Sequence, residues 1–366
     1  MNVENWCVVS PEWHNNVVRA SYLKRGFEPD ETEHAVRLCE SAARNGIRTH
    51  NALKALHLDD LFGSKAGGCI PGVRIEKLKS RFPASQVWNA NRKLGPAVAY
   101  EAMDTCLKLA NEFGVGMVSI DNAFHYLWGG AYALEAAEQG FIAYTNCTAL
   151  LAEVVPFGGR TPALGTNPHT WAVPTTKAIG FPILVDWATS AISMGRVQQL
   201  AREGQPLPAD AAINSTGAPT TNPADVAGLL PFGAHKGYGL GLLNEVFAAM
   251  IGAYLPKLRG RPSPSGQKNT CCFHFMAIHP EAISSGSFEG ARTMDQNLHA
   301  VLENILTGND NTRIPGANAA KWRERSRSAG GLLFTPSELN ALNDLAKQAG
   351  VSPIDRPDVW SPGSSR

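Results

Sequence analysis

Apolar and polar positions along the chain repeat on two rhythms, one of turns and one of short runs. In "DETEHAVRLCESAARNG" (30–46) Ala35, Val36, Leu38, Cys39 and Ala42 recur at helical spacing. Asp30 and Glu33 stand in capping-box spacing at its front, and Asn45-Gly46 stops it. A second helical pattern covers roughly 96–113 and ends at Gly114; a third covers 130–139 and ends at Gly140. Between them "GMVSID", "FIAYTN", "FPILVDWATS" and "CCFHFMAIHP" have the length and bulk of strands. Strand and helix in alternation predict an α/β core with a mixed central sheet, behind a first 60 residues that read as helices. The glycine-rich break at Gly63–Gly72 marks a boundary. The expected division is an N-terminal helical region, 1–75, packing with 300–366, and a central α/β region, 76–299, that holds cofactor and substrate. "RGRPSPSGQKN" reads as a polar surface loop and "SPGSSR" as a frayed tail.

Composition narrows the function classes. With 366 residues, 44% of them hydrophobic, and a net charge of +1, the chain reads as a soluble globular protein with no electrostatic case for nucleic acid or acidic membranes. Its apolar runs are far short of the roughly 20 residues that span a bilayer. The opening "MNVENWCVVSPEW" lacks a basic stretch followed by an apolar one, and seven cysteines without a CxxC fit reduced thiols, so a cytoplasmic protein is expected. HExxH, HxH and GxSxG are also missing, which leaves metallopeptidase, serine hydrolase and zinc-module readings without support; no metal is expected.

The candidate chemistry is scattered. "FGAHKGYGLGLLNEVF" (232–247) places Lys236 among glycines at the start of a helical run. It is either an anion site on a helix N-terminus or a tight turn with a surface lysine. It matches neither the P-loop nor the GxGxxG pattern. Asp186, inside the apolar "ILVDWAT", either caps the turn that starts at Ala188 or orients a histidine from elsewhere. Two histidines are candidates for that partner. If a helix begins at His50, then His50 and Lys54 share one face; His125 closes a strand just before Gly129-Gly130, at the usual ligand edge of an α/β sheet. "LGTNPHTWAVP" (164–174) is a rigid polar turn suited to a carboxylate or phosphate, with Thr166 as its candidate substrate contact.

Taken in order, "NAFHYLWGGAYALEAAEQGFI", "VVPFGGRTPALGTNP", "LVDWATSAISMGRV", "GAPTTNPADV" and "LLPFGAHKGYGLGLLNE" resemble the type 2 malate/L-lactate dehydrogenase family over about residues 12–330. That family includes ureidoglycolate and sulfolactate dehydrogenases, 2,3-diketo-L-gulonate reductase and Δ1-piperideine-2-carboxylate reductase. The resemblance implies a non-Rossmann dinucleotide-binding fold of the L-sulfolactate/malate dehydrogenase type, NAD or NADP as cofactor, a small 2-oxo or 2-hydroxy acid as substrate, and a homodimer. A cyclic imine reductase and a non-catalytic dinucleotide-binding protein are the alternatives. It further implies that Lys236 and Gly237, the segment Leu184, Val185, Asp186, Trp187, Ala188, Thr189 and Ser190, and the turn with Arg313, Pro315 and Gly316 line the cofactor. His50 is implied as proton donor, with Thr49 and Asp186 as its hydrogen-bond relay and Lys54 where family members carry a carboxylate-binding arginine. His125 matches the histidine at the mouth of the site, near the nicotinamide. This chain departs from the family pattern at Lys54, at Asn51 where members have glycine, and at Ala317. Arginine to lysine exchanges a bidentate fork for a point charge.

Overall fold

The computed structural model describes residues 5–252, 270–309 and 311–361. The polar loop expected at 259–269 and nearly all of the expected tail lie outside them. The described chain opens with a strand, β1 (Trp6–Val9), and then three helices follow: α1 (Pro11–Lys24), α2 (Pro29–Arg44) and α3 (Ala52–Phe62). Helix α2 buries the five apolar residues that its periodicity marks. Its cap lies earlier than Asp30 and Glu33, because Pro29 takes the first helical position, where a missing N–H costs nothing. Glu28 and Glu31 form the capping box instead.

Next come β2 (Glu76–Leu78), β3 (Ser85–Asn89), α4 (Gly95–Phe113), β4 (Val115–Ala123), α5 (Gly129–Glu138) and β5 (Ile142–Cys147). Helix α4 ends at Gly114, whose φ of 82° a side chain would resist. β6 (His169–Val173), α6 (Thr176–Ile179), β7 (Ile183–Trp187), α7 (Met194–Arg202), β8 (Ala212–Ile213), β9 (Gly228–Leu229) and α8 (His235–Ile251) follow. The last elements are β10 (Cys271–Ile278), α9 (Met294–Leu306), α10 (Ala317–Ala329), β11 (Leu332–Phe334), α11 (Pro336–Ala349) and β12 (Asp358–Trp360).

The central sheet is mixed, in the order β2-β3-β4-β10-β5-β6-β7. β3 and β4 run parallel across α4, while the late strand β10 enters between β4 and β5, antiparallel to both. The strand–helix–strand rhythm at β4-α5-β5 therefore does not make neighbouring strands. Aromatic rings fill the space under the helices: Tyr126 stacks on Phe273 at 4.9 Å and Tyr100 meets Tyr132 edge-on at 4.7 Å. Each such buried ring stabilises by about 1.5–3 kcal/mol. The two ends of the chain meet, since β1 pairs with both β11 and β12. All seven cysteines are free and buried. Among the described residues no helix is long and apolar enough to cross a membrane, and no cluster of metal-ligating side chains occurs.

Candidate active site

The edge strand β7 organises the site. Three turns far apart in sequence dock on it or on the residues just after it. Pro315 accepts the N–H of Leu184, and a side chain at Gly316 would strike the backbone of Pro182 and Leu184, so only glycine lets this turn in so close. The polar turn reaches Thr189, whose N–H and hydroxyl both donate to the carbonyl of Thr166. The lysine turn bridges Ser190 through Pro231, and Phe232 donates its N–H to the carbonyl of Thr189. Gly237 packs against those same carbonyls; a Cβ there would stand 2.4 Å from Phe232 O. Residues 184–190, 236–237 and 313–316 are thus brought together.

The lysine turn is wound tightly. Gly233 and Ala234 both have positive φ, 54° and 57°, and an alanine in that conformation costs energy that its surroundings must hold in place. The start of α8 offers fewer free N–H groups than a helix end usually does. Lys236 donates to Gly233 O, Gly237 to Phe232 O and Tyr238 to Ala234 O. What remains for an anion is the exposed Lys236 side chain, which makes no hydrogen bond or ion pair among the described residues. β7 ends the sheet, and Pro315 takes the N–H of Leu184 on its outer edge. By strand alternation Asp186 turns its main-chain groups to the same outer edge as Leu184. An exposed ammonium beside the main-chain groups of Asp186 fits a ligand with phosphates at one end and an amide at the other.

The histidines come from the other side. His50 precedes α3 instead of lying on it, because Asn51 is the N-cap and accepts the N–H of Leu53 at 3.1 Å. The added side chain at position 51 is therefore spent on capping the helix. Lys54 sits in the first turn of α3 and its charge acts on His50 and on His125. The two imidazole rings lie 6.4 Å apart, both half-buried. Gly95 makes room for the His125 loop, since a Cβ there would strike the carbonyls of Phe124 and His125. Thr49 Oγ1 lies 2.9 Å from His50 Nδ1, and the Leu127 N–H donates to His125 Nδ1 at 2.7 Å. His125 Nδ1 is therefore an acceptor, and the proton of its neutral ring belongs on Nε2.

Burial, with the Lys54 charge as the second cause, lowers the pKa of His50 to about 4. Burial, then His50 and Lys54, lowers that of His125 to about 3. Both are neutral at pH 7. The expected carboxylate relay to histidine does not form: Asp186 accepts from Thr170 Oγ1 at 2.6 Å and from Trp128 Nε1 at 2.9 Å. Nor does it cap the turn at Ala188. Asp186 keeps exposed surface on the edge strand while the protein around it crowds out water, and that desolvation raises its pKa against those two hydrogen bonds. Since Trp128 lies three residues beyond His125, Asp186 anchors the histidine loop to β7.

Glu153 escaped the sequence reading. Its N–H donates to Leu164 O and its carbonyl accepts from Leu229 N, which pins it beside the polar turn. Its carboxyl is raised by burial, and the charge of Lys54 opposes that rise. The only signal was a polar residue set directly before the apolar pair Val154-Val155. Arg313 is exposed and donates to Asn318.

A family model for malate/L-lactate dehydrogenase matches residues 9–343. A Δ1-pyrroline-2-carboxylate/Δ1-piperideine-2-carboxylate reductase of Pseudomonas syringae pv. tomato is 30% identical over 341 residues, 90% of this chain and 94% of that one. A malate dehydrogenase of Pyrococcus abyssi is 31% identical over 325 residues, 85% of this chain and 86% of that one. Among solved structures, sulfolactate dehydrogenase from Methanocaldococcus jannaschii superposes with a TM-score of 0.77 at 26% identity, covering 94% of this chain and 98% of its own.

Proposed function

The chain belongs to the malate/L-lactate dehydrogenase family, and we propose that it is an NAD(P)-dependent oxidoreductase interconverting a small 2-oxo acid and its 2-hydroxy acid. One observation carries the reading: a cluster of His50, His125 and Lys54 is tied through Trp128 and Asp186 to the strand on which the lysine, polar and RIPG turns converge. In this reading Lys236 and Gly237, residues 184–190, and Arg313, Pro315 and Gly316 hold the dinucleotide, which when bound supplies the hydride.

This chain's own residues do the rest. Lys54 binds the substrate carboxylate as a point charge, and Thr166 lies on the polar turn that closes the other side of the substrate. His125, neutral with its proton on Nε2, donates a hydrogen bond to the substrate oxygen. His50 gives the proton that the developing alkoxide takes, with the Thr49 hydroxyl on its Nδ1 fixing the ring. A carboxylate seated on Lys54 offsets the like charge that helps to depress both histidines, so substrate binding favours a protonated His50. The apolar side chains that α8 exposes, Leu242, Leu243, Val246, Phe247 and Met250, support a homodimer. Seven buried free thiols support a cytoplasmic setting.

The test is oxidation of NADH and NADPH against a panel of 2-oxo acids. Turnover with at least one of them is expected. Nucleotide binding without turnover on any oxo or imino acid would make the protein a binder that kept the fold. A second reading, reduction of a cyclic imine, draws support from the Pseudomonas relative, which is named for that substrate class.

A further inference from the structure

Where α1, α3 and α11 end, they leave a cavity of about 690 Å³, within the roughly 300–1,000 Å³ of small-molecule sites. Lys24, Arg25 and Lys65 line it, and among the described residues no carboxylate does. Pro71 and Leu345 add an apolar wall. In a chain whose net charge is only +1, three cations around one opening are not a sample of the average surface. The cavity is separate from the histidine cluster. Lys54 lies in the first turn of α3 and Lys65 just beyond its last, and the 11 residues of that helix span about 16 Å.

Basic residues at helix ends often answer free carbonyls. Here the chain already takes several of those carbonyls itself. Arg25 and Gly26 donate their N–H groups to Tyr22 and Leu23, Gly63 donates to Asp59, and Gly350 and Val351 donate to Lys347 and Ala346. Acids do not cancel the cations either. One carboxylate, Asp60, is shared by Arg25 at 3.0 Å and Lys65 at 3.4 Å. The buried Asp59 meets Arg25 Nε at 3.2 Å and is also held by the N–H and hydroxyl of Ser64. Lys24 has no ion-pair partner among the described residues and spends one of its three N–H groups on the carbonyl of Gln348. The wall therefore keeps an excess of positive charge and unspent ammonium donors, around an Arg25 that the Ser21 carbonyl and two aspartates hold in place. We propose that this cavity is a second anion site. It takes a small organic polyanion, a carboxylate or a phosphate ester, on Lys24, Arg25 and Lys65, with the carbon skeleton against Pro71 and Leu345. The site stands independently of the dehydrogenase reading.

The experiment is titration calorimetry of citrate and of glycerol 3-phosphate into wild type and two double variants, with the melting temperature followed beside it. One variant, Lys24→Gln with Lys65→Gln, alters the cavity. The other, Lys54→Gln with Lys236→Gln, alters the cations of the proposed active site. Arg25 is left in place, because removing it would strand the buried Asp59 and unsettle the fold. Wild type is expected to bind at least one of the two anions and to melt higher in its presence. The preferred anion tells carboxylate from phosphate. Lys24 and Lys65 are exposed, so their variant should melt like wild type without ligand. Its dissociation constant should rise about tenfold or more, the scale of a lost charge-assisted contact. The active-site variant should bind the anion as wild type does. Equal constants for wild type and the cavity variant would overturn the proposal. So would a loss confined to the active-site variant, which would place the anion on Lys54 or Lys236, and so would the absence of binding by either anion.

Discussion

Two regions of the molecule are built differently. Around the N-terminal helices and the sheet, the core is continuous, and even its charges are buried and paired. Lys93 reaches Glu31 at 2.5 Å inside the protein, and Glu31 also accepts the N–H groups of Glu28 and Gly72. Beyond β7 the core is a small cluster around Val154, Ile192, Leu200 and Leu229, the strands β8 and β9 have two residues each, and the path is set by turns at positive φ. The histidines and Lys54 stand on the first region, while the polar and lysine turns, through Leu164 and Tyr238, belong to the second. The groups that must hold a proton to within a fraction of an ångström sit on the stiff side, and those that grip a long ligand sit on the lightly packed side.

That comparison makes substitutions separable. The largest effect is expected at His50: His50→Ala should lower kcat by about 10²–10⁴, the span of a general acid, with cofactor affinity and thermal stability near wild type. If kcat is kept and His125→Ala abolishes it, the proton donor is His125. Glu31→Ala should do the reverse. It strands the buried Lys93, which costs about 3–5 kcal/mol in a denaturant titration, while the folded enzyme keeps its kcat. A loss under 1 kcal/mol would mean the first region is no stiffer than the second. The smallest effect is in pH. Because His50 and His125 have native pKa values of about 4 and about 3 against an ordinary 6.5, the unfolded chain binds more protons below neutrality. Their contribution to stability is complete above about pH 6.5 and is lost as pH falls toward 4 and then 3. Denaturant titrations from pH 7 to pH 4 should show a shallower fall for His50→Gln than for wild type; parallel curves would place His50 in open solvent.

The stiff region was also the legible one. The buried face of α2 follows from a period of 3.6, and the ends of α4 and α5 follow from glycines, all within a dozen residues of chain. Its cap was misplaced by two residues because Pro29 outranks Asp30 at a helix start. β1 was missed since its four residues are a strand only by virtue of partners more than 300 residues away, and β10 shows no sign in sequence of the two strands it separates. The same limit applies to the site. The family resemblance is what groups residues 184–190 with the turns at 236 and 313; the fold sets them side by side. The partners of Asp186 lie 16 and 58 residues away, so its bond to Trp128 in place of a histidine had no local signature. Glu153 belongs to no motif; its place beside the polar turn is set by backbone bonds to Leu164 and Leu229.

The central claim is that the turns docked on β7 hold a nicotinamide dinucleotide, and titration calorimetry of NADH and NADPH into wild type and Lys236→Ala tests it most directly. Lys236 is exposed and has no ion-pair partner among the described residues, so its loss should leave the melting temperature unchanged while raising the dissociation constant of the preferred cofactor about tenfold or more, one charge-assisted contact of roughly 1.5–3 kcal/mol. Equal dissociation constants for the two proteins, or no heat with either nucleotide, would contradict the account.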